Sequence, residues 1–270
     1  MIKKVLFIIS ILFGLTACSE RYPNSPYEDE FGFDENTSNK LRLFPNEVGS
    51  YWIYEIYDLD SMNVKMNASK RYDSTVVEAE LVKAGKTAKL FSTYTKNNTS
   101  YQKSVENYYA VERKKLLTLQ SYLSKFFQGV PIQLANFSNT EWITLIDSDD
   151  DLWRIYRMKL ENVSIPNYPF ITLNGKIEVL ASWEGKKKMT FKGNTVDADE
   201  YLLTFEFDAD ITIPVFGKVN IGIDRELNQF YVNDIGLIYE KLSSSGLSIP
   251  LIGSINLNGY ESKLISYHIK

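Results

Sequence analysis

The chain has 270 residues, 44% hydrophobic and 24% charged, an ordinary globular composition long enough for one or two domains. Thirty Lys and Arg stand against thirty-four Asp and Glu; without Lys3 and Lys4 the balance is twenty-eight to thirty-four, or −6, with no basic excess for phosphate contacts, which argues against nucleic acid as a partner. One Cys and one His exclude an intrachain disulfide and a His/Cys metal cluster.

Lys3 and Lys4 precede an apolar run over residues 5–15, broken only by Ser10 and Gly14, and small residues follow. That is the three-part layout of a secretory signal over residues 1–17. Eleven residues at roughly 1.5 Å each cover about 16 Å, far short of a ~30 Å hydrocarbon core, so no permanent span is expected there. Leu15-Thr16-Ala17-Cys18 resembles the lipobox of bacterial lipoproteins, including the position of the cysteine. The resemblance implies cleavage between Ala17 and Cys18, a diacylglyceryl thioether on Cys18 and acylation of its new amino group, with palmitate-type chains as the anchor. Two or three chains, at ~0.8 kcal/mol per buried CH₂, hold a protein to a membrane where one does not. In that family an Asp after the cysteine commonly retains the protein at the inner membrane. Ser19 stands here, which points to the outer membrane, facing the periplasm or the surface.

Residues 18–40 carry the lipidated Cys and a stretch with Pro23, Pro26, Gly32, six acids and two bases, and no structural period. Low aliphatic content and negative charge predict a disordered tether. As a coil, its 22 residues after Cys18 average about 5–6 Å × √22, roughly 25 Å. Glu28-Asp29-Glu30 reads as part of a spacer repelled by anionic head groups, with an export or partner signal as the alternative.

From Leu41 the period is 2. Tyr51-Trp-Ile-Tyr-Glu-Ile-Tyr57 is aromatic and β-branched, introduced by Pro45-Asn46 and Gly49, and residues 75–82, 88–95 and 108–112 continue in that style. Residues 114–127 are expected to form one short helix with Leu119, Tyr122, Leu123 and Phe126 on a face, although Leu117-Thr118-Leu119 also suits a strand. Residues 152–164, 170–182 and 188–192 add strands, with Asn174-Gly175 and Glu184-Gly185 as turn candidates. Over residues 201–213 the odd positions from Tyr201 to Ile213 are apolar, while Thr204, Glu206, Asp208 and Asp210 lie opposite, as in an antiparallel sheet with one wet face. Residues 260–269 close the chain as a strand. The fold class is mainly β: one antiparallel domain over residues 41–270, a strongly curved sheet or a barrel or half-barrel with at most one or two short helices, a β-sandwich being the alternative.

Two parts of this domain resemble a loose group of bacterial envelope lipoproteins without an assigned activity. One is Phe44-Pro45-Asn-Glu-Val-Gly49-Ser-Tyr-Trp52-Ile-Tyr54. The other is Phe230-Tyr231-Val-Asn-Asp-Ile-Gly236-Leu-Ile-Tyr239-Glu with Tyr260-Glu-Ser-Lys-Leu-Ile-Ser-Tyr267. Gly49 and Gly236 are expected to serve turns or close approach, and Trp52 and Tyr239 to pack.

Chemical motifs are sparse. There is no G-x-S-x-G elbow, P-loop or H-E-x-x-H. His268 reads as a strand residue near the C-terminus, and Ser100-Tyr-Gln-Lys103 matches S-x-x-K without its companion motifs. Asp147, Asp149 and Asp151 have the spacing that opens a calcium loop, but Leu152 and Met158 stand where an EF-hand needs Gly and Glu, so they are weak metal candidates beside a solvated hairpin loop. Glu206, Asp208 and Asp210 alternate on one strand face, where two acids could in principle work as a glycosidase pair. Aromatics make up 14%.

The sequence thus leads to a non-catalytic, lipid-anchored envelope protein without a cofactor, held to the membrane through Cys18 and binding an apolar or amphipathic ligand or an envelope partner. Its alternatives are a structural or glycan-binding surface lipoprotein and, less favoured, a carboxylate-based glycan hydrolase. A carrier requires an aromatic-lined cavity of roughly several hundred Å³; an interaction module requires a filled core; a hydrolase requires two acids about 5–10 Å apart in a cleft.

Overall fold

A computed structural model describes residues 41–97, 100–127, 137–165, 168–213, 217–249 and 253–270. The signal, Cys18 and the acidic tether lie outside the described residues.

Two antiparallel meanders are joined by the last strand. The first comprises β1 (Tyr51–Asp58), β2 (Arg71–Lys83), β3 (Lys86–Asn97), β4 (Ser100–Glu112), β5 (Lys115–Leu119) and β6 (Trp142–Asp147). The second comprises β7 (Leu152–Ile165), β8 (Tyr168–Phe191), β9 (Asn194–Ile213), β10 (Gly217–Val232) and β11 (Gly236–Leu242). A small hairpin, β12 (Ser245–Ile249) and β13 (Gly253–Leu257), precedes β14 (Tyr260–His268). β14 pairs with β1 on one side and β11 on the other, giving a twelve-stranded sheet in the order β6-β5-β4-β3-β2-β1-β14-β11-β10-β9-β8-β7. Its edge strands, β6 and β7, are consecutive in sequence and joined by residues 148–151. The sheet therefore curls until its edges meet, and the Trp153 indole N–H donates to the Thr144 carbonyl at 3.2 Å across the seam. The result is a nearly closed antiparallel barrel, and the sandwich alternative does not hold.

Local chemistry explains the connections. Ala84-Gly85 (φ 45° and 79°) and Lys192-Gly193 (φ 48° and 80°) supply the paired positive φ values of a tight hairpin turn whose twist matches its strands. Both turn candidates of the sequence reading lie instead inside β8, a 24-residue strand. At Gly175 the β9 backbone comes so close that a Cβ would stand 2.2 Å from the Asp208 carbonyl oxygen. The glycine there permits contact between strands and makes no turn. Gly185 (φ 92°) sits at an irregularity in register with β9, a kink in a continuing strand.

The expected helix over residues 114–127 is also corrected. Its first part is β5, buried on both faces because Leu117 packs with Ala88 and Ala110 while Leu116 faces the main core. Period-2 patterning is invisible in such a strand. Its second part, Gln120–Phe127, is a 3-10 helix that runs inside the barrel and is called here the plug.

Eight strands enclose roughly the space that side chains can fill; twelve enclose more. On the β5–β10 side the plug takes up the excess. Tyr201, Leu203, Phe205, Phe207, Ala209, Ile211 and Ile213 all face in, none more than 2% exposed, as their alternation predicts. Phe126 stacks on Phe205 at 5.7 Å and Phe127 meets it edge-on at 4.7 Å. Opposite, the outward rows of β8 and β9 carry ion pairs, Lys176 with Glu178 (3.3 Å) and Glu206 (3.6 Å), and Lys187 with Glu200 (3.4 Å). A lipid-facing barrel would carry an apolar band there. Among the described residues no helix is long and apolar enough to cross a membrane.

Candidate functional site: a half-filled barrel

The other half of the interior is not filled. A cavity of about 570 Å³ lies among β1–β4, β10, β11, β14 and the plug. The alternation of β1 turns Trp52, Tyr54 and Ile56 inward, and Phe91, Tyr109 and Tyr231 reach in from β3, β4 and β10. The rings form a continuous rank: Trp52 with Phe91 at 5.9 Å, Phe91 with Tyr109 at 5.0 Å, Tyr109 with Tyr122 at 6.4 Å. Along β4 the lining extends to the exposed residues Ser104, Val105 and Glu106, which connects the space to solvent.

One wall is fastened by the segments that carry the lipoprotein resemblance. The Trp52 indole N–H donates to the Ile235 carbonyl at 2.6 Å and the Tyr54 hydroxyl to the Leu237 carbonyl at 3.0 Å. Gly236 sits between these two bonds at φ 94°, a backbone conformation that favours glycine. Gly49 likewise has φ 97°, in the turn before β1. Trp52 is buried, and Tyr239 packs edge-on against Phe230 at 5.6 Å.

Where the plug meets β10, β11 and β14, the lining turns polar. The Lys125 ammonium lies 4.0 Å over the Tyr122 ring and donates to the Tyr122 hydroxyl oxygen at 2.6 Å and to Glu240 at 3.3 Å. Glu240 also accepts from the Gln229 amide and the Tyr260 hydroxyl. Burial pulls the Lys125 ammonium below the usual lysine range, while Glu240 opposes that shift. Burial, followed by neighbouring negative groups, pushes Tyr109, Tyr122, Tyr231 and Tyr260 well above the ordinary phenol range, so all four remain protonated donors. On the β2 wall burial raises the Asp73 carboxyl as well, against a Thr95 hydrogen bond and Arg71.

Beneath this layer, Arg225 is 1% exposed and donates to three carbonyls: Phe126 at 2.7 Å, Asn258 at 2.9 Å and Ser243 at 3.1 Å. It ties the end of the plug to the residue after β11 and to the residue after β13. Burial lowers its guanidinium from the usual range to about 10.

The residues singled out in the sequence lie elsewhere. Asp147 is buried and paired with Lys115 at 2.5 Å, Asp149 lies 3.4 Å from Lys114, and the Asp151 carbonyl accepts from the Trp183 backbone N–H. Among the described residues no three His, Cys, Asp or Glu side chains gather as cation ligands. Glu206, Asp208 and Asp210 are on the outward face of β9, Glu206 paired with Lys176 and the two aspartates accepting from Asn220 at 2.9 and 3.4 Å. Ser100 opens a strand, and Lys103 is held by Glu78 (2.9 Å) and Glu106 (3.0 Å). His268 stacks obliquely on Tyr51, across from it on β1.

Sequence reasoning missed Lys125, Arg225, Gln229 and Glu240. A signal for two of them was present. The inward row of β10 reads Val219, Ile221, Ile223, Arg225, Leu227, Gln229, Tyr231, in which a cation and an amide interrupt an apolar period.

No protein-family model matches the chain, and no curated protein matches it. Among solved structures the chain is similar to a protein of Bacteroides fragilis described provisionally as exported, with a YmcC-like fold: 9% identity, TM-score 0.38, covering 83% of this chain and 98% of that one. It is similar also to a protein of Parabacteroides distasonis described provisionally as a lipoprotein, at 10% identity and TM-score 0.41, covering 84% of this chain and 98% of that one.

Proposed function

We propose that this chain is a non-catalytic, lipid-anchored envelope lipoprotein whose barrel holds an apolar or amphipathic molecule. The observation that carries the binding half is the aromatic-lined cavity of about 570 Å³, inside the range of ~300–1,000 Å³ typical of small-molecule sites. The lipobox at residues 15–18 supports the anchor, and Ser19 supports the outer membrane. The non-catalytic reading is supported by the engagement of two of the three cavity carboxylates, Asp73 being the third, with its Oδ1 unpartnered among the described residues. Glu240 is taken by Lys125, Gln229 and Tyr260, and Glu106 by Lys103. The three acids that suggested a hydrolase face water on the outer wall.

The test is native mass spectrometry of the Cys18→Ser chain purified without detergent, followed by solvent extraction. A reproducible apolar adduct is expected, and its mass identifies the ligand class. A clean apo mass, unchanged after incubation with an envelope lipid extract, refutes the carrier reading and moves attention to envelope-protein and glycan partners.

A further inference from the structure

The polar end of the cavity holds more hydrogen-bond donors than acceptors. Lys125 donates two of its three N–H bonds, to Tyr122 at 2.6 Å and to Glu240 at 3.3 Å. The Tyr122 oxygen accepts both from Lys125 and from the Gln229 amide at 3.1 Å, so its own O–H proton has no acceptor among the described residues. The hydroxyls of Tyr109 and Tyr231 line the same space and make no hydrogen bond among the described residues. Glu240 already takes three donors. Apart from the phenol oxygens of Tyr109 and Tyr231, which can accept as well as donate, the acceptors left over are Gln229 Oε1 and Asp73 Oδ1, both buried atoms.

Such an arrangement discriminates by chemistry. Buried donors without acceptors are costly, so a ligand gains most by presenting acceptors at this end. A cationic head group would meet an ammonium already seated over Tyr122. A full anion would share the enclosed space with the Glu240 carboxylate, and burying an unmatched charge is expensive. The remaining head group is an uncharged acceptor, and the ring rank leading away from it suits a hydrocarbon chain. We propose, on top of the ligand-binding reading above, that the cavity takes a single-chain acyl compound with a neutral ester head, its oxygens set among the donors of Lys125, Tyr109, Tyr122 and Tyr231 and its chain along Trp52 and Phe91.

The full chain carrying Cys18→Ser is loaded with the neutral fluorophore N-phenyl-1-naphthylamine, which is then displaced by methyl dodecanoate or by dodecyltrimethylammonium. The ester displaces the dye at a concentration at least tenfold below that of the ammonium compound. In the Tyr109→Phe/Tyr231→Phe double variant, which keeps both rings, the dye still binds and the ester's advantage falls about two- to twelvefold for each hydroxyl removed, the worth of a neutral hydrogen bond. If the dye binds but ester and ammonium displace it equally, or the double variant keeps the full preference, the head-group inference is overturned and the carrier reading stands. If the folded chain, verified by its β-type circular dichroism, binds no dye, both fall.

Discussion

Replacing Arg225 by Met tests whether the plug is held by three carbonyl contacts. The substitution keeps length and apolar bulk and removes every donor. The carbonyls of Phe126, Ser243 and Asn258, 2.7–3.1 Å from the guanidinium, lose their partner together. Hydrogen bonds to a charged group contribute about 1.5–3 kcal/mol each, so the gross loss is roughly 5–9 kcal/mol. Against this stands the cost of burying the guanidinium. Its fall from the usual guanidinium range to about 10 corresponds to roughly 3 kcal/mol at about 1.36 kcal/mol per pKa unit. The difference leaves a destabilisation of about 4 kcal/mol. For a domain of this size each kcal/mol moves the midpoint by about 2–4 °C, so thermal unfolding followed by circular dichroism should drop by about 8–16 °C. Arg225→Lys should be nearly as damaging, because an ammonium on a shorter stem lacks the guanidinium's fork of donors. The loss should concentrate where the bonds are: amide hydrogen exchange should accelerate in the plug and in β12–β13 before it does in β8–β9. A Met variant that melts within 2 °C of the parent would refute the reasoning, for it would mean that apolar burial replaces the three bonds at no cost.

Four further outcomes follow from the same structure. Glu78→Gln removes a carboxylate that the Tyr94 hydroxyl, Lys103 and Ser92 hold down to about 2 from an ordinary 4.5. A depressed carboxyl contributes stability above its unfolded value, and that contribution is lost as pH falls from about 4.5 through about 2. With 27% of the side chain exposed, screening reduces it to about 1 kcal/mol, so parent and variant should differ in urea midpoint at pH 7 and converge by pH 2. Gly175→Ala must push β8 from β9, since its Cβ would lie 2.2 Å from the Asp208 oxygen; a loss of about 3 kcal/mol in denaturant titration is expected, and a neutral result would sink the close-approach account. Lys125→Met leaves Glu240 buried without its cation, costing about 3–5 kcal/mol, whereas adding Glu240→Gln should restore most of the midpoint, a double-mutant cycle that fails if the two changes simply add. Cys18→Ser should shift the chain from membrane to soluble fractions, and unchanged fractionation would remove the lipobox argument.

The long strands were legible wherever one face is wet. In β9 the apolar and polar residues alternate without a break from Leu203 to Ile213, and the structure buries the apolar row. Legibility failed where both faces are covered, as at Leu116–Leu119, because no polar row remains to mark the period. It failed also at glycines, since Asn174-Gly175 has the residues of a turn while only the neighbouring strand's backbone reveals close packing. The cavity residues were hidden for a different reason. Lys125 sits near the end of a segment read as one short helix with Leu119, Tyr122, Leu123 and Phe126 on a face, and an irregularity between Phe230–Tyr231 and Tyr239–Leu237 disturbs the pairing ahead of Glu240. A charge at an inward position can be recognised from sequence only when the phase of its strand is known on both sides.

Strand number, plug and cavity are one problem in filling space. Closure at twelve strands sets an interior wider than two opposing rows of side chains can fill. One 3-10 segment, Gln120–Phe127, occupies half of it, bringing Leu123 and Phe126 against β9 and turning Tyr122 and Lys125 to the other side. A plug has two faces, and the face turned away from the core must carry whatever the remaining space requires. Here it carries a cation and a hydroxyl, matched by Gln229 and Glu240 on the facing strands. An apolar plug face would have favoured collapse of the wall formed by β1–β4 onto it. Polar groups that bond to one another in a fixed frame, with Arg225 bracing the segment behind them, resist such closure and keep the cavity open at its polar end.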